Sequence, residues 1–379
     1  MKIEGAWISD PALQAVLTCL AAGGHRALLV GGCVRNALLG VPVADIDIAT
    51  DARPERVVEL CEACGLKPVP TGIEHGTVTV VSGGRPHEVT TFRRDVETDG
   101  RRAVVAFSDR ISEDAARRDF TINALYAEGD GSVIDPLSGL PDIVARRVRF
   151  VGTPEDRIRE DYLRILRFFR FHAAYGDPAG GIDLDGLAAC AAHSDGIETL
   201  SRERIGHEMR RLLAAPNPAP ALAAMQASGV LARALPGADG TPMARLVAHE
   251  GPAKPDWLRR LAAIGSSDPA GALRLSRDEA RRLAILRGAI GSSQGPGELA
   301  YRHGADTARD VLALRAALLE QPAPPGAATD IDAGARARFP VRAADLPLLS
   351  GPPLGERLNE LERRWIASGF TLSREQLLA

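Results

Sequence analysis

The sequence predicts an α+β fold: a small N-terminal part that mixes strands with helices, followed by an all-helical remainder. Three observations predict it. The first third alternates short β runs with helical stretches. Beyond Pro154 the strand signal vanishes and Ala/Leu/Arg-rich helical periods take over. Those periods are broken by proline-rich joints at Pro216–Pro220, Gly251–Pro255 and Pro322–Pro325, with no fixed-period repeat.

The elements follow in order. Ala12–Gly24 is mildly apolar and reads as an amphipathic helix with Asp10 as its cap and Pro11 in its first turn. Ala27–Val30 is an apolar strand, Val34–Leu39 a short helix and Asp45–Thr50 an alternating strand. Pro54–Cys64 is a helix with proline in its first turn. Strands Thr77–Val81 and Glu88–Phe92 flank the turn Ser82-Gly83-Gly84-Arg85-Pro86. A polar, mobile loop is expected from Arg93 to Asp109, with Gly100 near its middle. Helix resumes near Ser112, and Thr121–Tyr126 with Ser132–Ile134 flank Glu128-Gly129-Asp130-Gly131 as a hairpin.

A chain of 379 residues, 45% apolar and 25% charged, is long enough for two or three domains with real cores. No apolar run approaches the roughly 18–20 residues that span a bilayer, and Glu4 and Asp10 stand where a signal peptide carries positive charge. A cytoplasmic location and no membrane partner are expected. The five cysteines show no disulfide framework, and Cys61 and Cys64 read as neighbours on one helix face, with no second pair to complete a zinc site. The net charge is −3 but unevenly spread: residues 1–200 carry 22 Lys and Arg against 30 Asp and Glu, a balance of −8, leaving +5 for residues 201–379. A basic helical half suits a polyanion, although solvated helices alone can show such an imbalance.

The chemistry concentrates in Leu28-Leu29-Val30-Gly31-Gly32-Cys33-Val34-Arg35 and Asp45-Ile46-Asp47. A strand running into two glycines and then a helix leaves backbone N–H groups open at the helix start, where no Cβ blocks a phosphate. Arg35, one turn in, folds back onto the same phosphates in this reading. A glycine pair also simply closes turns, so the carboxylates weigh more. Strand alternation puts Asp45 and Asp47 on one face, roughly 6–7 Å apart along the chain. Such a pair can hold two Mg²⁺ ions about 3.5–4 Å apart, with Ile46 and Ile48 turned into the core. An exposed face with two solvated acids is the plain alternative.

Four segments together, in this order, resemble the bacterial class II tRNA nucleotidyltransferase (CCA-adding) and poly(A) polymerase family. They are Gly31-Gly32-x-Val34-Arg35, Asp45-x-Asp47, Arg117-Arg118-Asp119-Phe120-Thr121-Ile122-Asn123-Ala124-Leu125, and Glu160-Asp161-x-x-Arg164-x-x-Arg167-x-x-Arg170-Phe171. The resemblance covers about residues 25–215. It implies a polymerase β-like nucleotidyltransferase head over residues 1–150, a helical neck over 151–215 that recognises the base, and a helical body and tail over 216–379 that binds tRNA. It implies template-independent addition of C, C and A to the tRNA 3′ end from CTP and ATP, with Mg²⁺ as cofactor and no protein partner. Residue by residue, Asp45 and Asp47 would be catalytic and hold the metal. Gly32 and Arg35 would contact the phosphates, Arg118 the nucleotide, and Asp161, Arg164, Arg167 and Arg170 would line its pocket. Glu88 is the candidate third carboxylate. The family usually has Asp after the motif arginine, where this chain has Asn36. A flexible loop at Arg93–Asp109 would serve the final A addition.

The segment from Asp161 to Arg170 also makes sense by itself. On one continuous helix Asp161 and Arg164 are surface neighbours. Cytosine and adenine each present an exocyclic amine beside a ring-nitrogen acceptor. Asp accepts from the first and Arg donates to the second, whereas uracil and guanine mismatch both. A solvated, ion-paired helix is the competing reading, as it is for Arg117-Arg118-Asp119. Poly(A) addition is the nearest alternative activity. The stretch Gly72-Ile73-Glu74-His75-Gly76-Thr77-Val78-Thr79-Val80 lacks the arginine pair expected there, and His75 reads as simply exposed. A non-catalytic RNA-binding protein would be expected to have lost an aspartate. A small-molecule nucleotidyltransferase would not need so large a basic helical half.

Overall fold

The structure is a computed structural model that describes residues 1–99, 102–251 and 254–379. Helix α1, Pro11–Ala22, begins where Asp10 accepts a hydrogen bond from the Ala12 N–H at 2.9 Å, with Pro11 in the first turn. Then come β1 (Ala27–Val30), α2 (Gly32–Leu39), β2 (Asp47–Thr50), α3 (Pro54–Ala63), β3 (Lys67–Gly72), β4 (Thr77–Ser82) and β5 (Arg85–Thr91). Strands β6 (Arg93–Asp99) and β7 (Arg102–Phe107), helix α4 (Ile111–Ala116), strands β8 (Tyr126–Ala127) and β9 (Val133–Ile134) and helix α5 (Leu140–Val144) follow. Helices α6 (Pro154–Glu160), α7 (Leu163–Tyr175), α8 (Leu184–Ala192) and α9 (Arg202–Leu213) come next, and only helices follow them among the described residues.

Seven strands form one sheet in the order β3-β4-β5-β2-β1-β8-β9. Every pairing in it is antiparallel except β2 with β5, which sets Asp47 opposite Glu88. Leu28, Leu29, Ile48, Val78, Val80 and Val89 are buried within it. Alternation along β4 puts one face inside, as the period of two requires.

Four expectations need correction. The Arg93–Asp109 stretch contains an antiparallel hairpin, β6 with β7, rather than a loop; residues 100 and 101, Gly100 among them, lie outside the described residues. Strand β3 was not foreseen. Strand β2 starts at Asp47, two residues later than the alternation suggests. Thr121–Asn123 is a 3₁₀ turn, with only Tyr126–Ala127 pairing to Val133–Ile134.

The described chain packs as two compact units, Met1–Leu212 with Pro220–Ala234, and Leu213–Ala219 with Leu235–Ala379. In the first, Phe150 stacks on Phe168 of α7 at a ring-centroid distance of 5.3 Å, and Phe120 packs at a tilt against Phe168 at 6.3 Å and Phe171 at 5.1 Å. Residues before and after position 150 therefore share one aromatic core. Fully burying each such ring contributes about 1.5–3 kcal/mol. The second unit is helical, with an aromatic core of Tyr301, Phe339, Trp365 and Phe370. No helix among the described residues is long and apolar enough to cross a membrane.

Candidate active site

The site starts from a turn that only glycine can make. Gly31, between β1 and α2, has φ 71° and ψ −115°, and its N–H donates to the Leu125 carbonyl at 3.0 Å. A Cβ there would stand 3.2 Å from Nη1 of Arg118. Helix α2 then begins with no side-chain cap, leaving its first N–H groups to whatever enters the adjoining cavity.

That cavity measures about 450 Å³ and is lined by Gly31, Gly32, Asp45, Asp47 and five arginines: Arg35, Arg118, Arg167, Arg170 and Arg211. Asp47 opens β2, and Asp45 precedes the strand in a non-regular segment. Both carboxylates reach the cavity, but strand alternation accounts for only one of them. Ile48 is fully buried, as expected, and Ile46 half-buried. Burial pushes the Asp47 carboxyl above its ordinary value, and repulsion from Glu88 and Asp45 adds to this while Arg118 opposes it. A second cavity of about 650 Å³ shares Asp45 and Asp47 and adds Glu88, Thr79, Arg85 and His87. Glu88 thus lines this space and not the arginine-rich one.

Four of these arginines are held by groups of the protein. Arg118 donates to Asp114 at 3.0 Å and to the Tyr126 hydroxyl at 3.1 Å. Arg167 grips Asp119 at 2.7 and 2.6 Å; burial disfavours the Asp119 carboxylate, but Arg167 and Asn123 outweigh it and hold the carboxyl below its ordinary value. Arg170 is paired with Glu208. The Phe171 ring gathers three guanidinium groups, Arg170, Arg35 and Arg167, at 4.3, 5.1 and 5.2 Å.

Two expectations change here. Arg35 is only 6% exposed and is built into the wall: it donates to Asn36, Asn123 and the Tyr175 hydroxyl, with Tyr175 lying 4.1 Å from the guanidinium. Asp161 is not helical. With φ −157° it separates α6 from α7, caps the Leu163 N–H at 3.1 Å and pairs with Arg204 at 2.7 Å. Arg164 is engaged by Glu160 and the carbonyls of Arg157 and Arg117. Neither Asp161 nor Arg164 lines the cavity, whereas Arg167 and Arg170 do.

Sequence reasoning missed Arg211, Tyr175 and the role of Asn123. Asn123 lies inside the quoted Arg117–Leu125 segment, and its place in the line Arg35–Asn123–Asp119–Arg167 appears only in three dimensions. His75 is exposed beside Glu74, and Cys61 is buried while Cys64 is exposed. Among the described residues no three His, Cys, Asp or Glu side chains are arranged to hold a metal ion.

Comparison with known proteins gives the same outline. Residues 27–149 match the model of the poly A polymerase head domain, and residues 181–240 match that of a probable RNA and SrmB-binding site of polymerase A. The chain is 44% identical over 209 residues to the CCA-adding enzyme of Oceanobacillus iheyensis, covering 54% of this chain and 50% of that one. It is 40% identical over 202 residues to the mitochondrial CCA tRNA nucleotidyltransferase 1 of Mus musculus, covering 53% and 46%. The matched part thus spans about half the length of these curated relatives. Among solved structures, the Bacillus stearothermophilus CCA-adding enzyme in complex with CTP superposes with a TM-score of 0.70 and 28% identity, covering 95% of this chain and 94% of that one.

Proposed function

The chain belongs to the family of CCA-adding enzymes and poly(A) polymerases, and from that premise we propose that it adds C, C and A to the 3′ end of tRNA, using CTP and ATP without a template. The observation that carries the reading is one cavity in which a carboxylate pair faces five arginines and an uncapped helix start. Residues 1–150 would be the catalytic head, 151–215 the neck, and 216–379 the tRNA-binding body and tail.

The donor set suits a hard divalent cation. Asp45 and Asp47 offer only oxygen, and the β2–β5 register sets a further carboxylate, Glu88, opposite Asp47. Magnesium held by these two residues would activate the 3′-hydroxyl and stabilise the departing pyrophosphate. The protein's own groups do the rest. The open N–H groups at the start of α2, from Gly32 onward, with Arg118, Arg167, Arg170 and Arg211, would take up the triphosphate, and Arg35 would brace that wall. The acceptor 3′ end would come through the neighbouring cavity that shares both aspartates, because the attacking oxygen must approach opposite the leaving group. A bond forms between the 3′ oxygen and the α-phosphorus, the α–β bond breaks, and the hydroxyl proton is lost to solvent. Asp161 and Arg164 are the base readers in this proposal, each exchanging its internal partner, Arg204 or Glu160, for the base edge.

The test is release of pyrophosphate from CTP in the presence of Mg²⁺ and a tRNA that lacks its terminal CCA. Release that depends on both RNA and metal supports the proposal. RNA binding without release would make the chain a non-catalytic RNA-binding member of the family.

A further inference from the structure

Asn36 makes two opposite kinds of hydrogen bond at once. Its amide oxygen accepts from Nε and Nη2 of Arg35 at 3.1 and 2.8 Å, and its amide nitrogen donates to the Pro42 carbonyl at 2.9 Å. Arginine offers only donors and a proline carbonyl only accepts, so the orientation of the amide is fixed. The backbone carbonyl of Asn36 also accepts from the Val41 N–H at 3.0 Å, where Gly40, at φ 69°, turns the chain out of α2. One residue therefore holds Arg35 on one side and, on the other, the first two residues of the stretch Val41–Ile46. That stretch belongs to no helix or strand, contains Asp45 and leads directly into Asp47.

We infer that Asn36 is a positioning residue: it fixes the segment bearing Asp45 relative to Arg35, and so sets how tightly the carboxylate pair binds a divalent cation. A carboxylate at this position would still accept from Arg35 but has no proton for Pro42, and two oxygens would then face each other. The amide serves both neighbours, where the Asp usual in the family would serve only Arg35. The inference rests on the reading of Asp45 and Asp47 as metal ligands.

The test compares the full-length protein with its Asn36→Leu, Asn36→Asp and Asp45→Ala variants. Mn²⁺ binding is followed by the electron paramagnetic resonance of the free ion, with nucleotide and acceptor RNA both absent. CTP binding is measured separately without metal, and each variant is melted. Asn36→Leu, nearly isosteric, loses both bonds. Its Mn²⁺ dissociation constant should rise roughly fivefold, the worth of a hydrogen bond, and CTP should bind more weakly as Arg35 loosens. Asn36→Asp should keep more of the CTP affinity than Asn36→Leu yet still bind Mn²⁺ more weakly than the parent at high salt, where its added charge is screened. If Asp45→Ala leaves Mn²⁺ binding unchanged, the metal-ligand reading fails, whatever Asn36 does. If Asp45→Ala weakens binding while both Asn36 variants bind Mn²⁺ like the parent, the positioning role is overturned. A lowered melting temperature with unchanged Mn²⁺ affinity overturns it equally, leaving Asn36 a purely structural residue.

Discussion

Two groups of paired arginines use the same chemistry to opposite ends. In the first unit, Arg35, Arg118, Arg167 and Arg170 are each held by carboxylates, amides or rings, yet together with Arg211 they border open space. In the second, Arg259 and Arg260 sit against Glu250, with Asp310 on Arg259 at 2.6 Å, and Arg260 is 1% exposed. Nη1 of Arg260 donates to the carbonyls of Leu213 and Ala215, and Nη2 donates to that of Pro216 at 3.1 Å. There every donor is turned inward. A guanidinium saturated on all sides holds backbone together, and one saturated on its far side alone keeps a fixed positive face for a ligand. Pairing by itself therefore does not distinguish a binding arginine from a structural one. The open volume beside it does.

The largest effect that sharpens this contrast belongs to the carboxylates inside the open volume. Asp45→Ala together with Asp47→Ala should lower nucleotide incorporation by roughly a thousandfold or more, since several kcal/mol of transition-state stabilisation go with the metal. Affinity for tRNA, dominated by phosphate contacts elsewhere, should stay near the parent value in a filter-binding assay. Appreciable turnover in the double variant would remove these residues from the chemistry.

Next in size is Arg260→Met. It strips Glu250 of one of its two arginines and leaves backbone carbonyls without donors, at a cost of about 3–5 kcal/mol of stability. Chemical denaturation should record that loss, while kcat/KM for CTP stays unchanged at temperatures where the variant is folded. A variant of near-parent stability with impaired CTP use would erase the distinction between the two groups.

Much of this was legible in the chain, and what was not has local causes. The glycine turn and the two aspartates stand out because a sharp turn and a metal site each need particular residue types at short spacing. Strand β3 was hidden by Pro68 and Pro70. They are tolerated because β3 lies at the sheet edge, where one side of the strand needs no ladder. The β6–β7 hairpin was hidden because Arg93-Arg94-Asp95 and the charged residues after it lack the apolar alternation that marks a half-buried strand. The break at Asp161 carries no glycine or proline. It follows from the carboxylate turning back to its own backbone and to Arg204, a partner 43 residues away. Arg211 was missed because it comes from a separate helix, α9, whereas Tyr175 lies on α7 one turn beyond Phe171, where helical spacing alone points to it.

A smaller effect is expected at Asp161 and Arg164, the proposed base readers. Asp161→Ala and Arg164→Ala should each weaken use of CTP and ATP and narrow the gap to UTP and GTP, by roughly ten- to a hundredfold of a discrimination that can reach about 10⁴–10⁵. The comparison is kcat/KM for all four nucleotides on one acceptor. Equal proportional loss for all four would leave Asp161 and Arg164 in the roles their ion pairs already give them, as holders of α6, α7 and α9.

The smallest concerns acid stability. Burial works against the Asp142 carboxylate, but bonds from Thr121, Arg149 and Arg147 hold its carboxyl below the ordinary value. A carboxyl depressed in the folded state contributes stability above its unfolded pKa and loses it as pH falls through the folded one, here below about pH 4. Asp142→Asn should therefore lower the melting temperature at neutral pH and flatten its decline in acid. An acid limb of unchanged slope would assign that dependence to other carboxyls.

Whether the arginine-bordered cavity and its two aspartates build C, C and A onto tRNA is read from the product itself. Transcripts of one tRNA ending before, within and after the CCA sequence are each offered to the full-length protein with Mg²⁺ and with CTP, ATP, UTP and GTP singly and together, and the 3′ ends are sequenced. Two C residues are expected on the shortest acceptor with CTP, one A on the acceptor ending in CC with ATP, no use of UTP or GTP, and arrest once CCA is complete. Continued runs of A on any RNA 3′ end, or no extension of any acceptor, would contradict it.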